Sequence, residues 1–358
     1  MLGTDPRGQG GIASVVSVWQ EDGFFERNFV RYLVTHVDGT YWRKLTVAIA
    51  SLLTVLFICA RREPPIVHAH CASRASFLRK SILLAAARIC GSKTIFHLHG
   101  GTFCQFAEVE AGPVLRWWIR RTLASSSLVI ALSDRSACFL SLLASTADIR
   151  VLVNCVQIKE AGSAMQEQSG RILFLGRANR QKGIFELLAA VSSLHEQFPQ
   201  IMLVIAGDGD LLEVRRSAER LNISAHVLIL GWIGPKERCE QLQCASVFAL
   251  PSHHEGLPMS MLEAMAASKA VVVTPVGGIA EAVSDRDNVL LVPPGDVGAL
   301  VAALRTLLGD ADLRCRLGRC ARETVASRFS SDAVTIKLAA MYAELEGRGG
   351  QGCVRSIR

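Results

Sequence analysis

The sequence predicts an α/β chain built as two parallel-sheet domains. Short apolar, β-branched runs alternate with apolar residues at helical spacing along almost the whole length, and Gly- or Pro-bearing turns follow many of the runs. Most of the runs are continuously apolar rather than alternating, as strands covered by helices on both faces are. At 358 residues the chain has room for two domains of ordinary size. A hydrophobic content of 50% and a mean hydropathy of +0.30 imply a well-buried core or contact with a membrane, and exclude a disordered chain.

In the first half, residues 1–4 read as the end of a strand whose beginning would lie upstream. The Gly-rich turn Asp5-Pro6-Arg7-Gly8-Gln9-Gly10-Gly11 follows, then an amphipathic helix over about 12–20. A strand, a Gly-rich turn and a helix start aim backbone N–H groups and the helix dipole at a phosphate, although this turn lacks the spaced Gly-x-Gly-x-x-Gly of dinucleotide folds. Further strands are expected over 29–34, 66–70, 94–99, 128–132 and 150–153, with helices over 44–59, 76–88, 113–124 and 134–143 between them. Such alternation specifies a parallel sheet covered on both sides.

Residues 157–170 (QIKEAGSAMQEQSG) are polar and small, and read as a linker. Beyond it strands are expected over 171–175, 202–206, 226–230, 247–250, 270–274 and 289–292, with helices over 184–196, 211–222, 236–244, 258–268 and 297–308. These alternations make a second Rossmann-like domain, and a last helix over about 331–345 ends the chain. The expected domains are therefore 1–160, 161–330 and a helix with tail over 331–358.

The densest chemistry lies around 250–267. An apolar strand ends at Pro251, a polar loop carries Glu255, and Gly256 and Pro258 open a helix from which Glu263 projects. The loop-then-helix geometry lets both carboxylates face one crevice at the carboxyl end of the sheet, where open α/β folds bind ligands. The string Pro251-Ser252-x-x-Glu255-Gly256-x-Pro258-x-x-x-x-Glu263-Ala264-Met265-Ala266 resembles the Glu-x7-Glu signature of retaining glycosyltransferases of family 4 (glycosyltransferase group 1). That resemblance implies the GT-B fold, two facing Rossmann-like domains with parallel sheets and a C-terminal helix crossing back onto the first domain. It also implies a nucleotide diphosphate sugar, UDP- or GDP-linked, as donor.

After the first strand of the second domain, Gly176-Arg177-Ala178-Asn179-Arg180-Gln181-Lys182-Gly183 opens a helix. Two cations at a helix N-terminus would stabilise the charge that develops on a departing diphosphate. Their spacing is similar to the family's Gly-Arg…Lys-Gly loop, so the resemblance gives Arg177 and Lys182 a catalytic role in place of a metal. By the same resemblance Glu255 contacts the donor sugar, Glu263 accepts from the ribose hydroxyls, and the Gly231-Trp232-Ile233 turn cradles the base with Ile233. Gly207 (in Gly207-Asp208-Gly209), Gly256, Leu257 and Gly278 (in Gly277-Gly278) let the backbone approach the donor, and Gly10-Gly11 matches the Gly-Gly loop that faces it. His99, followed by Gly100, matches a histidine beside the transferred sugar. In the family reading the acceptor hydroxyl attacks on the face from which the phosphate leaves. Asp208-Gly209-Asp210 is the nearest imitation of an Asp-x-Asp metal motif. No metal and no cofactor beyond the donor is expected.

Charge and hydropathy bear on partners. Residues 1–150 hold 17 Lys and Arg against 10 Asp and Glu, whereas the rest holds 22 of each. A basic first domain suits anionic lipid headgroups or a diphosphate-bearing acceptor, such as a polyprenyl-diphosphate-linked saccharide, and no nucleic-acid motif accompanies it. Residues 45–60 (LTVAIASLLTVLFICA) are uncharged between Arg43-Lys44 and Arg61-Arg62. As a helix of about 24 Å they fall short of the hydrocarbon core, which favours a domain helix, or one whose outer face dips into a membrane surface. The 11 scattered cysteines contain no Cys-x-x-Cys and suit a reducing compartment. The opening MLGTDPRGQGG is unlike a secretory leader. The expected location is the cytoplasm, or the cytoplasmic face of the inner membrane, in surface or exopolysaccharide assembly.

Rival readings stand beside this one. His68-Ala69-His70 and His97-Leu98-His99 each place two imidazoles on one strand face, as a metal-dependent hydrolase would require. A GT-B binding or scaffold protein without turnover, an epimerase and a sugar phosphorylase complete the alternatives.

Overall fold

A computed structural model describes residues 1–347, except Arg7, Gln9, Asp38, 61–65 and 159–165. The expected linker, the Arg61-Arg62 flank and part of the first Gly-rich turn thus fall partly or wholly outside the described residues. The chain divides into two compact units, Met1–Val153 with Ser331–Arg358, and Asn154–Ser330. The division falls before residue 160, and the C-terminal helix belongs to the first unit.

The first unit holds strands β1 (Leu2–Thr4), β2 (Leu33–His36), β3 (Val67–Cys71), β4 (Thr94–Leu98), β5 (Leu128–Ala131) and β6 (Ile149–Val151). They form one sheet in the order β2-β1-β3-β4-β5-β6, every pair parallel. Its helices are α1 (Gly11–Glu21), α2 (Phe24–Arg27), α3 (Tyr41–Cys59), α4 (Ala75–Ile89), α5 (Phe103–Gln105), α6 (Pro113–Ala124) and α7 (Asp134–Leu143). The right-handed rule for parallel crossovers assigns sides. The step from β1 to β2 runs one way along the sheet, and every later step runs the other way, so α1 covers one face and α3, α4 and α6 share the opposite one. Phe77, Phe96, Phe103 and Leu84 fill the core beneath α4.

The second unit holds β7 (Arg171–Leu175), β8 (Met202–Ala206), β9 (Val227–Gly231), β10 (Val247–Leu250), β11 (Ala270–Val273) and β12 (Leu290–Leu291), parallel in the order β12-β11-β10-β7-β8-β9. Its helices are α8 (Ile184–Leu194), α9 (Leu211–Arg220), α10 (Pro235–Cys244), α11 (Met259–Ala266), α12 (Ile279–Ala282), α13 (Val297–Gly309) and α14 (Ala311–Arg328), after which α15 (Ser331–Leu345) returns to the first unit. The doubly wound order reverses between β7 and β10, which makes their carboxyl ends the switch point of this sheet.

Several elements differ from expectation. The second strand starts at Leu33, not at 29, because Phe29 closes the α2 turn at φ +51 with its ring 95% exposed. The sixth strand ends at Val151 rather than 153. The 18-residue α14 is absent from the expected elements, since its buried side chains, Leu317, Ala321 and Val325 beside Gly318, are sparse and set among arginines. The helix over 44–59 begins earlier, at Tyr41, capped by the Thr40 hydroxyl accepting from Arg43 N–H. At 19 residues it is about as long as a membrane-crossing helix, so length no longer argues against crossing. Packing does: Ser51, Val55 and Cys59 on its inner side are buried, and Val55 and Cys59 belong to the domain core.

Candidate active site

Every candidate residue of the second unit follows a strand end or sits on the helix after it. Arg177 and Lys182 follow β7, Gly207 follows β8, Ile233 follows β9, Glu255, Gly256 and Leu257 follow β10, Glu263 lies in the second turn of α11, and Gly278 follows β11. The loops after β7 and β10 meet at the switch point. His253 N–H donates to the Gln181 carbonyl at 2.8 Å, and Gly183 sits against Pro251. Gly183 has φ +71, and a Cβ there would stand 2.0 Å from the Pro251 carbonyl oxygen, so both conformation and contact demand glycine. Gly277, at φ +56, closes the other side of the loop: a Cβ would meet the Glu255 carbonyl at 2.0 Å, and Gly278 N–H donates to Gly256 O at 2.6 Å.

This scaffold fixes the Glu255 carboxylate. Lys182 Nζ donates to its Oε1 at 2.5 Å and Ser252 Oγ donates to the same oxygen at 2.8 Å, while the residue is 8% exposed. Thr274 Oγ1 holds the Ser252 carbonyl at 2.5 Å, and Asn179 Oδ1 accepts from Lys182 N–H at 3.1 Å, setting the turn that delivers the lysine. Arg177 is paired as well, its Nη2 2.8 Å and its Nε 3.3 Å from the two oxygens of Asp208. Both cations expected for a diphosphate thus rest on carboxylates. Arg180 stacks over the Phe185 ring at 5.1 Å, on the neighbouring turn.

Glu263 is mostly buried, with Arg238 Nε on α10 3.4 Å from its Oε2. In the Gly231-Trp232-Ile233 turn, Ile233 is buried and Trp232 is exposed. Sequence reading missed Arg238, Ser252, Thr274 and Asn154. Asn154 is buried and donates from Nδ2 to the Leu257 carbonyl at 2.7 Å, tethering the Glu255 loop from the unit's first residue. The signal available for Ser252 was its place in the Pro251-Ser252-x-x-Glu255 string; Arg238 and Asn154 carry none, because their partners are distant in sequence.

The remaining candidates belong to the first unit and are described there alone. Gly10, at φ +115, precedes α1, and Gly11 begins it, both exposed at the carboxyl end of β1. His99 follows β4; its N–H donates to Cys71 O at 2.8 Å, and its Nε2 lies 2.9 Å from His70 Nδ1. His68 pairs through Nε2 with His97 Nδ1 at 3.1 Å and through Nδ1 with the Tyr342 hydroxyl at 2.7 Å. Burial holds His68, His70 and His97 well below the ordinary imidazole range, with neighbouring positive groups adding to the effect, so all three are neutral.

One ring nitrogen from each of these three histidines falls within 4.8 Å of the others. A hydrolytic metal needs a coordination position open to water and substrate. The three rings are at most 1% exposed, His68 stacks on His70 and on His97, and Trp19 covers them. The geometry therefore gives the hydrolase reading no open position, and the histidines form a closed, hydrogen-bonded stack behind His99.

The fold of the chain is GT-B. It superposes on sucrose-phosphate synthase of Thermosynechococcus elongatus with a TM-score of 0.79 at 19% identity, over 97% of this chain and 98% of that one. Residues 157–324, just under half of the chain, match the family of glycosyl transferases group 1. Glycogen synthase of Mycobacterium tuberculosis is 32% identical over 175 residues, 48% of this chain and 42% of that protein. Alpha-D-kanosaminyltransferase of Streptomyces kanamyceticus is 25% identical over 302 residues, 78% of this chain and 77% of that protein. The first of these two likenesses thus spans less than half of the relative's own length.

Proposed function

We propose that the protein is a glycosyltransferase that moves a sugar from a nucleotide diphosphate sugar, UDP- or GDP-linked, to a saccharide acceptor. The observation that carries this reading is the switch-point pair, Lys182 after β7 hydrogen-bonded to Glu255 after β10, with Arg177 on the same β7 loop and Glu263 on α11, the helix that follows the β10 loop. A diphosphate entering this crevice would take Lys182 and Arg177 from their carboxylates. Neutralising the leaving phosphate in this way needs no divalent ion. Glu263, mostly buried, would accept from a ribose diol, and Glu255, freed from Lys182, would accept from the donor sugar. His99 would contact the transferred sugar from the first unit, with Gly10 and Gly11 beside the donor.

Transfer proceeds with retention in this proposal. The acceptor hydroxyl attacks on the face the phosphate leaves, its proton passes to that phosphate, the C1–O bond to the diphosphate breaks, and the new glycosidic bond forms on the same side. The acceptor is a lipid-linked saccharide, polyprenyl-diphosphate-linked or similar, of a surface or exopolysaccharide pathway, met at the cytoplasmic face of the inner membrane. The names of the relatives, a glycogen synthase and a kanosaminyltransferase, support sugar transfer. The test is incubation of single donors with lipid-linked and free saccharides, followed by assignment of the anomeric centre by NMR. A product with the donor's anomeric configuration, formed in the presence of a chelator, is the expected outcome; an inverted product or a strict need for a divalent ion refutes the mechanism.

A further inference from the structure

We infer that the outer face of α3, α4 and α6 is a docking surface for an anionic phospholipid bilayer. The inference deepens the lipid-linked acceptor of the proposed function, and rests on that reading only for its purpose.

The three helices lie on the same side of the first sheet by the crossover argument above, with α4 packed between the other two. Each turns an apolar face outward. On α3, Trp42, Ile49, Leu53 and Phe57 recur at intervals of seven, four and four residues along one stripe and are between 51% and 72% exposed. Ile82 on α4 is 51% exposed and Trp117 on α6 is 61% exposed, the latter beside Trp118, whose Nε1 anchors the helix to Ser81 at 2.8 Å. Only 17% of the window Trp42–Cys59 is buried, although its mean hydropathy is 1.7. Scattered exposed apolar residues need no explanation, but a contiguous set on adjoining helices marks an interaction surface.

Charge selects the partner. The sequences of α3, α4 and α6 contain eight Lys and Arg, of which Lys80 is buried, and no Asp or Glu. Arg43 and Lys44 stand exposed beside Trp42, and Arg120 and Arg121 stand exposed beside Trp117. A second copy of the chain pairing through the same face would set like charge against like charge, and a protein partner would need an acidic apolar surface. A bilayer with anionic headgroups supplies hydrocarbon for the stripe, phosphate for the arginines and an interface at which tryptophan settles. Because Val55 and Cys59 keep the inner side of α3 in the core, the helix lies in the membrane plane rather than crossing it.

The test is cosedimentation of the full chain with vesicles of phosphatidylcholine alone and with phosphatidylglycerol, at low and high salt. Three proteins are compared: the wild type, Leu53→Glu with Phe57→Glu, and Leu212→Glu, the last altering an exposed leucine of the second unit. Binding to the anionic vesicles, weakened by salt and reduced at least about tenfold in the first variant but not in the second, is expected. Wild type that stays in the supernatant, or a double variant that binds like wild type, overturns the inference. A dimer in solution that the double variant disperses, with no vesicle binding, also overturns it and assigns the face to a second copy. Thermal stabilisation by the donor is read on the same proteins, so loss of vesicle binding with donor response intact separates this surface from the transferase reading.

Discussion

Lys182→Ala is expected to lower the single-turnover rate of sugar transfer by about a hundred- to a thousandfold, the usual cost of losing one group aimed at developing charge. Lys182 Nζ is 2.5 Å from Glu255, so the substitution has a second consequence. It leaves a carboxylate that is 8% exposed with, among the described residues, Ser252 as its remaining side-chain donor, at a cost of about 1–3 kcal/mol. The two effects separate in the double variant Lys182→Ala with Glu255→Gln. Its urea midpoint should return towards wild type, because the amide needs no cation, while its rate should stay low. A rate within tenfold of wild type in Lys182→Ala would remove the lysine from the leaving-group role, whatever happened to stability.

Acid should destabilise the first unit steeply. His68, His70 and His97 are held neutral chiefly by burial, with folded-state pKa values well below the ordinary one. The unfolded chain protonates each near 6.5. As pH falls below that value the unfolded state takes up protons that the folded state refuses, so the stability present at neutral pH is lost on acidification. Three such groups give up to about 4 kcal/mol per pH unit, and His97→Gln should remove about a third of that slope. Urea unfolding between neutral pH and pH about 5 measures it. Equal slopes in wild type and variant would show that the imidazole stack admits protons while folded.

The strand ends were the legible part of this protein. Parallel strands buried on both faces must be apolar throughout, and the turns that follow them must admit a ligand, so Gly176–Gly183, Gly207-Asp208-Gly209, Gly231 and the 251–263 string could be read in order without coordinates. Partnership was not legible. Arg177 looked like a cation reserved for phosphate, yet it lies on Asp208, a residue 31 positions away that a different strand delivers. Arg238 reaches Glu263 from another helix, and Asn154 reaches Leu257 from 103 positions away. The histidine pairs show both cases at once. Spacing placed two imidazoles on each strand face, but only the register of β3 against β4, with His70 opposite His97, decides that they bond to one another in a closed stack. Helix α14 escaped because an apolar stripe of three buried residues, each four apart, is thin against an arginine-rich background.

The most direct test of the account is thermal stabilisation of the purified protein by a panel of UDP- and GDP-sugars, with Glu263→Ala and Lys182→Ala measured beside it. One donor is expected to raise the melting temperature of the wild type, and the shift is expected to be lost in both variants, because ribose and diphosphate each lose their partner. No shift with any donor, or an equal shift in wild type and both variants, would contradict a nucleotide-sugar site at the switch point between β7 and β10.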